Sequence, residues 1–302
     1  MTRHMAQHVP VLFNETIELL SPQQGETFFD GTLGGGGHAS RICDMLGDTG
    51  RLLACDKDAN AIAVVTERLA QYPCEKHIIK GNFRDIDTMC AKERVSSLDG
   101  IIFDLGFSSM QIEDSGRGFS FLRDEPLVMT LTDNPDAETL TAATIVNEWA
   151  EESIADIVYG YGEERYARRI ARGIVEARLH KPIATTTQLV EIIKHSVPKG
   201  YATGKTHPAT RTFQALRITV NDELGAVEEG IHKGLALLVP GGRMAVISFH
   251  SLEDRIVKRI FKEVVEDDTF ELLTKKPIVP TDEELRENPR ARSAKLRGIR
   301  RT

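Results

Sequence analysis

The stretch Glu26-Thr27-Phe28-Phe29-Asp30-Gly31-Thr32-Leu33-Gly34-Gly35-Gly36-Gly37-His38-Ala39 decides the fold. Its first residues are an aromatic, β-favouring run that ends in an acid, which predicts a short strand. The glycine cluster follows, and residues 38–46 have a helical pattern. Gly34, Gly36 and Ala39 stand in G-x-G-x-x-A spacing between that strand and that helix. Glycines let the backbone turn tightly and approach a ligand closely, and the helix start offers unpaired N–H groups. Asp56 lies 20 residues after Gly36, at the end of a second apolar run, 51–56. A carboxylate there can accept both hydroxyls of a ribose.

Outward from this point the chain alternates. A helix is predicted over 58–72, with Ile62, Val65 and Leu69 on one face, then strands over 77–80 and 98–104. Strands alternating with helices predict a parallel βαβ sheet. The rhythm then stops. Between residues 109 and 206 the patterns are helical, over 137–149, 151–158, 163–180 and 186–195. The framework resumes with one long helix, about 208–238, whose stripe runs through Phe213, Leu216, Val220, Leu224, Val227, Ile231 and Leu235. A fifth strand is expected over 243–249, a helix over 253–265, and a closing antiparallel pair over 270–274 and 294–300. Two domains are therefore expected: an α/β domain of residues 1–108 and 207–302, and an inserted all-helical domain of residues 109–206. Trp149 and Phe213 are expected in a core rather than as stacking platforms.

Composition narrows the class. The chain has 302 residues, 41% hydrophobic and 27% charged, which excludes disordered and fibrous classes. No apolar run is long enough for a membrane span, and the first residues have no signal-peptide core. Four scattered cysteines without a Cys-x-x-Cys, and nine histidines without ligand spacing, favour a reducing cytoplasm and no metal site. The net charge of −7 excludes a basic coat over the whole surface. It is unevenly spread, however. Residues 286–302 hold seven Lys or Arg against Glu287 alone, and residues 194–217 hold five with no acid. Two basic stretches on an acidic body suit a polyanion bound on one face.

The glycine turn with Asp56 fits either a nicotinamide dinucleotide or S-adenosylmethionine. Two features favour the latter. Asp30 would stand beside a cationic amino-acid head rather than a pyrophosphate. Asn82-Phe83 follows the third strand, where an adenine needs a flat apolar neighbour. Asp104 ends the fourth strand, where reacting groups meet.

Several stretches carry a resemblance. They are His8-Val9-Pro10-Val11-Leu12 with Asp30 to His38; Asp104-Leu105-Gly106-Phe107-Ser108-Ser109-Met110-Gln111 with Arg117-Gly118-Phe119-Ser120-Phe121; His207-Pro208-Ala209-Thr210-Arg211-Thr212-Phe213-Gln214; Ile247-Ser248-Phe249-His250-Ser251-Leu252-Glu253-Asp254-Arg255; and Asn288-Pro289-Arg290-Ala291-Arg292-Ser293-Ala294-Lys295. In this order the chain resembles the bacterial 16S rRNA cytosine-N4 methyltransferases, the RsmH or MraW family. The resemblance implies a class I Rossmann-like methyltransferase core with an inserted helical domain for substrate recognition. It implies S-adenosylmethionine as methyl donor, held at Gly36, Gly37, His38, Asp56, Phe83, Asp104 and Gln111. The implied substrate is a cytidine in the decoding region of 16S rRNA, within the 30S subunit. The family's Pro-Leu-Asp-Met-Arg-Met is here Pro126-Leu127-Val128-Met129-Thr130-Leu131, without the acid and the arginine, and Thr132-Asp133-Asn134-Pro135 follows.

Asp104 is the candidate to accept an N4–H of the target amine or to orient the donor. Candidate substrate contacts are Arg211, Ser248, His250, Arg292 and Lys295. Two alternatives stay open from the residues alone: a nicotinamide-dependent oxidoreductase and a non-catalytic rRNA-binding assembly factor. The sequence does not set the oligomeric state, and a homodimer is compatible with it.

Overall fold

The computed structural model describes residues 10–106, 116–132, 135–136, 138–203 and 207–302. It divides into two compact units, residues 1–107 with 224–302, and residues 108–223.

The first unit is built on a seven-stranded sheet. Its strands are β1 (Thr27–Asp30), β2 (Arg51–Asp56), β3 (Glu75–Lys80), β4 (Leu98–Leu105), β5 (Leu238–Ser248), β6 (Phe270–Leu272) and β7 (Lys295–Arg301), in the order β3-β2-β1-β4-β5-β7-β6. The first five run parallel, and β7 is antiparallel to both β5 and β6. This strand order, parallel but for one antiparallel strand inserted next to last, is a doubly wound Rossmann-like sheet, as the sequence leads one to expect.

Alternate residues of each strand serve opposite faces, as the period of two requires. Phe28, Leu52, Ala54, Ile102 and Ala245 join one core with α1 (Phe13–Leu20), α2 (Gly37–Leu46) and α3 (Ala59–Leu69). Phe29, Leu53, Cys55, Phe103 and Val246 join the other, with α4 (Ile86–Lys92) and two later helices. Both faces are covered, so the strands are near-continuous hydrophobic runs.

The second unit is helical. It contains α5 (Ala142–Glu148), α6 (Glu151–Gly160), α7 (Ala167–Arg178), α8 (Thr186–Ser196), the single turn α9 (Lys199–Ala202) and α10 (Thr210–Asn221). Ile145, Ile154, Val158, Ile170, Ile174, Leu189 and Phe213 are buried together, and Trp149 packs against them. No strand occurs among its described residues, only an isolated bridge between Pro126 and Thr185. The departing segment is part of this core: Leu127, Met129 and Thr130 are buried. Arg117 Nη1 donates to the Thr130 carbonyl at 2.9 Å. Asp133 and Asn134 lie outside the described residues.

Two expectations are corrected. The long helix is two, α10 and α11 (Glu223–Leu237), broken at Asp222, whose φ is 46°. The adjoining Asn221 is drawn into the helical unit. Its Nδ2 donates to the Met129 carbonyl at 2.8 Å, and its Oδ1 accepts from Leu131 N at 2.8 Å. Asp tolerates the left-handed conformation better than most residues. Arg217 then spans the break with a two-pronged bond to Glu223. The boundary thus moves from 207 to 224, because Phe213 and Leu216 belong to the helical core while Val227 and Ile231 belong to the sheet.

The second correction concerns the basic tail, which is not a free polyanion arm. Its last residues form β7, between β5 and β6. Asp254, on α12 (Ser251–Val265), accepts from Arg297 at 2.7 Å and from Lys295 at 2.9 Å. Burial alone would raise the Asp254 carboxyl, but these two cations outweigh it and hold it below its ordinary range. Arg297 is itself only 8% exposed. Asp254→Ala should therefore strand a buried guanidinium and cost about 3–5 kcal/mol in urea unfolding. A loss below about 1 kcal/mol would mean that the pair is a surface ornament.

Candidate cofactor and catalytic site

The site forms where the strand order reverses, between β1 and β4, at the carboxyl ends of the strands. β1 pairs with β4 through Asp30 and Ile102, and Gly31 N donates to the Ile102 carbonyl at 3.0 Å. The glycine turn follows at once. Gly36 caps α2 in the left-handed conformation, φ 72°, and an added Cβ would meet Val65 Cγ1 at 2.5 Å. Only glycine satisfies both conditions. Gly37 is the first residue of α2, and His38 is buried beneath it, stacked on Phe13 with ring centroids 5.7 Å apart.

Asp56 organises the turn from β2. Its Oδ2 accepts from Gly34 N at 2.8 Å and its Oδ1 from Asp58 N at 2.9 Å. Phe83 begins a short 3-10 turn after β3, its ring 4.9 Å from that of Phe103.

Three carboxylates converge on this turn. Asp30 is 2% exposed, and its Oδ1 accepts from Thr32 N at 3.0 Å. Thr32 Oγ1 in turn accepts from Asp104 N at 2.6 Å, tying the turn to β4. Asp104 Oδ1 is buried and has no hydrogen-bond partner among the described residues, while 24% of the side chain remains exposed. Its Oδ2 lies 3.8 Å from His38 Nδ1. Burial, then Asp30, then Glu253 push the Asp104 carboxyl up to about 7. Burial chiefly, with Asp56 adding to it, raises Asp30 to about 7 as well. Asp56 is also raised, again by burial first.

The loop after β5 supplies the other wall. His250 caps α12, and Glu253 returns the bond. Glu253 Oε2 accepts from Phe249 N at 2.8 Å and from His250 N at 3.3 Å. Ser248 is buried, with its hydroxyl 3.4 Å from the Lys295 carbonyl. Lys295 is engaged by Asp254, whereas Arg292 is exposed. Arg211 lies in the helical unit, its Nη1 donating to the Glu163 carbonyl at 3.1 Å. Gln111 lies outside the described residues. The structure thus brings Gly36, Gly37, His38, Asp56 and Asp104 together in one unit, with Phe83 at the end of the adjoining β3. Sequence reasoning passed over Thr32 and Glu253. The signal for Glu253 was present as a capping-box spacing, His250-x-x-Glu253.

The raised carboxyls set a pH dependence. Below the ordinary carboxyl range both folded and unfolded Asp104 are protonated, and no penalty exists. As pH rises toward about 7 the unfolded state ionises freely and the folded state does so only at a cost, so folded stability falls. Asp104→Asn removes that cost. Its melting temperature should match the parent's near pH 4 and exceed it increasingly up to about pH 7. Equal melting temperatures at pH 8 would show that Asp104 ionises without strain.

The family model described as the MraW methylase family matches residues 5–302. The chain is 46% identical over 316 residues to the Ribosomal RNA small subunit methyltransferase H of Syntrophotalea carbinolica, covering 100% of each chain. It is 47% identical over 305 residues to the protein of that name in Geobacter sulfurreducens, covering 96% of this chain and 97% of that one. In Deinococcus radiodurans the figures are 49% over 290 residues, 96% and 88%. With a model match over nearly all its residues and relatives close to half identical across them, this chain belongs to the MraW methylase family.

Proposed function

We propose that this protein methylates the exocyclic N4 amine of a cytidine in the decoding region of 16S rRNA, using S-adenosylmethionine, with the 30S subunit as substrate. The observation that carries the cofactor reading is the convergence of Asp30, Asp56 and Asp104 on one glycine turn, with the first and last pushed up to about 7. Buried carboxylates facing one another favour a ligand that brings positive charge. S-adenosylmethionine carries an ammonium and a sulfonium, whereas a dinucleotide would set its pyrophosphate against three acids. The names of the relatives support small-subunit rRNA as the target. The four cysteines described are free and buried, which suits a reducing cytoplasm.

The residues fit the cofactor. Gly36 and Gly37 close the turn tightly against Val65 and Pro10 while the space at Gly35 stays open, Asp56 stands at the end of β2 for the ribose hydroxyls, Phe83 offers an apolar ring, and Asp30 stands for the amino-acid head. When bound, the cofactor supplies an activated methyl group. The protein then has to hold the target amine, whose lone pair is delocalised into the cytosine ring. Asp104 Oδ1, a buried acceptor with no partner among the described residues, is placed to take an N4–H and so localise that lone pair. Thr32 holds the Asp104 backbone, and Glu253 holds the Phe249–His250 backbone beside it. Positioning supplies much of the rate enhancement, since a strong base is not needed for an amine whose proton becomes acidic on alkylation. The helical unit, with Arg211, serves substrate recognition, and Arg292 adds an exposed cation.

Transfer of labelled methyl to 30S particles and to naked 16S rRNA, with the product nucleoside identified by mass spectrometry, tests the reading. N4-methylcytidine is expected, and Asp104→Ala should lower kcat by about 10²–10⁴. Label at a ring position, or no label with a protein that binds NAD, would sink it. The cofactor should also bind more tightly as pH rises, by up to about tenfold per pH unit for each carboxyl that ionises, levelling above about 7. Calorimetry across pH 5.5 to 8, values chosen to bracket about 7, reads this directly.

A further inference from the structure

The arginines around α7 fall into two kinds. Arg178 is spent on the fold, its Nη1 donating to the carbonyls of Val146 at 3.1 Å and Trp149 at 2.8 Å. Arg165, just before the helix, is not. Its guanidinium carbon lies 4.8 Å from the Tyr166 ring centroid and 4.9 Å from that of Tyr201. The two rings meet edge to face at 4.9 Å. Arg165 is exposed, and no acceptor among the described residues takes any of its N–H donors. Arg169 adds a second guanidinium, 5.8 Å from the Tyr166 ring.

One buried carboxylate fixes this arrangement. Glu164 is 0% exposed; its Oε1 accepts from Tyr166 N at 2.8 Å and its Oε2 from the Tyr201 hydroxyl. Burial, then the bond to Glu164, raises the Tyr201 hydroxyl above its ordinary range, so it stays a donor. Arg211 closes the cluster by its bond to the Glu163 carbonyl, and its charge acts on Tyr201 together with that of Arg165. A guanidinium held on two rings has already lost much of its rotamer freedom, and its planar fork remains open. That is the state in which arginine binds a phosphate oxygen pair with little further ordering.

We propose that Arg165, set on Tyr166 and Tyr201 and flanked by Arg169 and Arg211, clamps a backbone phosphodiester of the substrate RNA. The proposal rests on the RNA-methyltransferase reading and adds a site to it. A track continues from Arg169 as an open groove of about 550 Å³ between α7 and α8, lined also by Arg172, His180 and His195. Two acids, Glu176 and Glu191, share that lining; Glu191 is paired with Lys194 at 2.9 Å, and Arg172 itself faces Glu151 at 3.6 Å. A phosphodiester strand running from Arg165 past Arg169 into this open groove needs no base-specific contact.

The test uses the full chain and a labelled single-stranded RNA of about twelve nucleotides, with affinity read by anisotropy at several salt concentrations. Arg165→Gln should weaken binding about tenfold, equally for different sequences, and reduce the slope of log affinity against log salt by about 0.7. Arg165→Lys should keep that slope and lose part of the affinity, because a point charge replaces a fork. In methyl transfer, Arg165→Gln should raise KM for RNA and leave kcat alone. Unchanged affinity and slope in Arg165→Gln, with the parent still methylating, overturns the clamp and leaves the function standing. If the parent binds RNA and Arg165→Gln lowers the slope, but no methyl is transferred to any rRNA, the clamp stands and the function falls. Displacement of RNA by polyglutamate from the parent, without any loss of RNA affinity in Arg165→Gln, would assign the cluster to an acidic protein instead.

Discussion

The pairing of β1 with β4 is the constraint from which the rest follows. β1 has four residues, and β4 begins 68 residues after it ends; they lie side by side because Phe28 and Gly100 face each other. A Cβ on Gly100 would lie 2.0 Å from the Phe28 ring, so at this pair the strands meet because one residue has no side chain. With β2 on the other side of β1, the sheet order reverses here, and a crevice opens at the carboxyl ends of the strands. Asp30 and Asp104 are thereby brought to adjacent strand ends. Thr32 then joins the turn to β4 through the Asp104 amide, so the glycine turn and the candidate acceptor move as one piece.

That placement is electrostatically costly. Asp104 is opposed by Asp30 and by Glu253, and its nearest cationic candidate, His38 Nδ1, is 3.8 Å away. A stability-optimised sheet would put apolar residues or a paired cation there. Sites that violate the local rules are where function concentrates. The cost is local because neighbouring backbone amides find acceptors: Asp56 takes those of Gly34 and Asp58, Asp30 that of Thr32, and Glu253 those of Phe249 and His250. The carboxyls lack a counter-charge, and a cationic ligand supplies what is missing.

Much of this was legible in the residues because it is local. The strand ending in Asp30, the glycine spacing and Asp56 at the next strand end are each set by a few neighbouring side chains. The break at Asp222 was not legible. A stripe with a period near 3.6 passes through a one-residue left-handed link without losing its phase, so two helices look like one. What breaks the helix is Asn221 bonding to Met129 and Leu131, some 90 residues away in sequence. The role of the basic tail was hidden for a similar reason. Lys295 and Arg297 look like free cations until Asp254, more than 40 residues earlier, takes both. Glu253 was overlooked because its capping role lies in the helix that follows the motif, whereas its electrostatic role lies on Asp104.

Formal charge therefore says little about which cations can meet a polyanion; what matters is where their donors go. The tail contributes seven Lys or Arg to the count. Yet Arg297 and Lys295 are bound to Asp254, Arg300 to Glu271, and Arg301 to the Leu238 carbonyl. Arg243 on β5 is likewise held by both oxygens of Glu26. A carboxylate partner cancels the charge at a distance, and a buried pair such as Arg297 with Asp254 is costly to break, whereas the carbonyl that holds Arg301 only occupies its donors. Arg165 is different in kind. It is oriented by aromatic faces, which attract the cation without occupying its hydrogen-bond donors. Rings are thus the means by which a protein can fix a guanidinium in place and still leave it to be used by a partner.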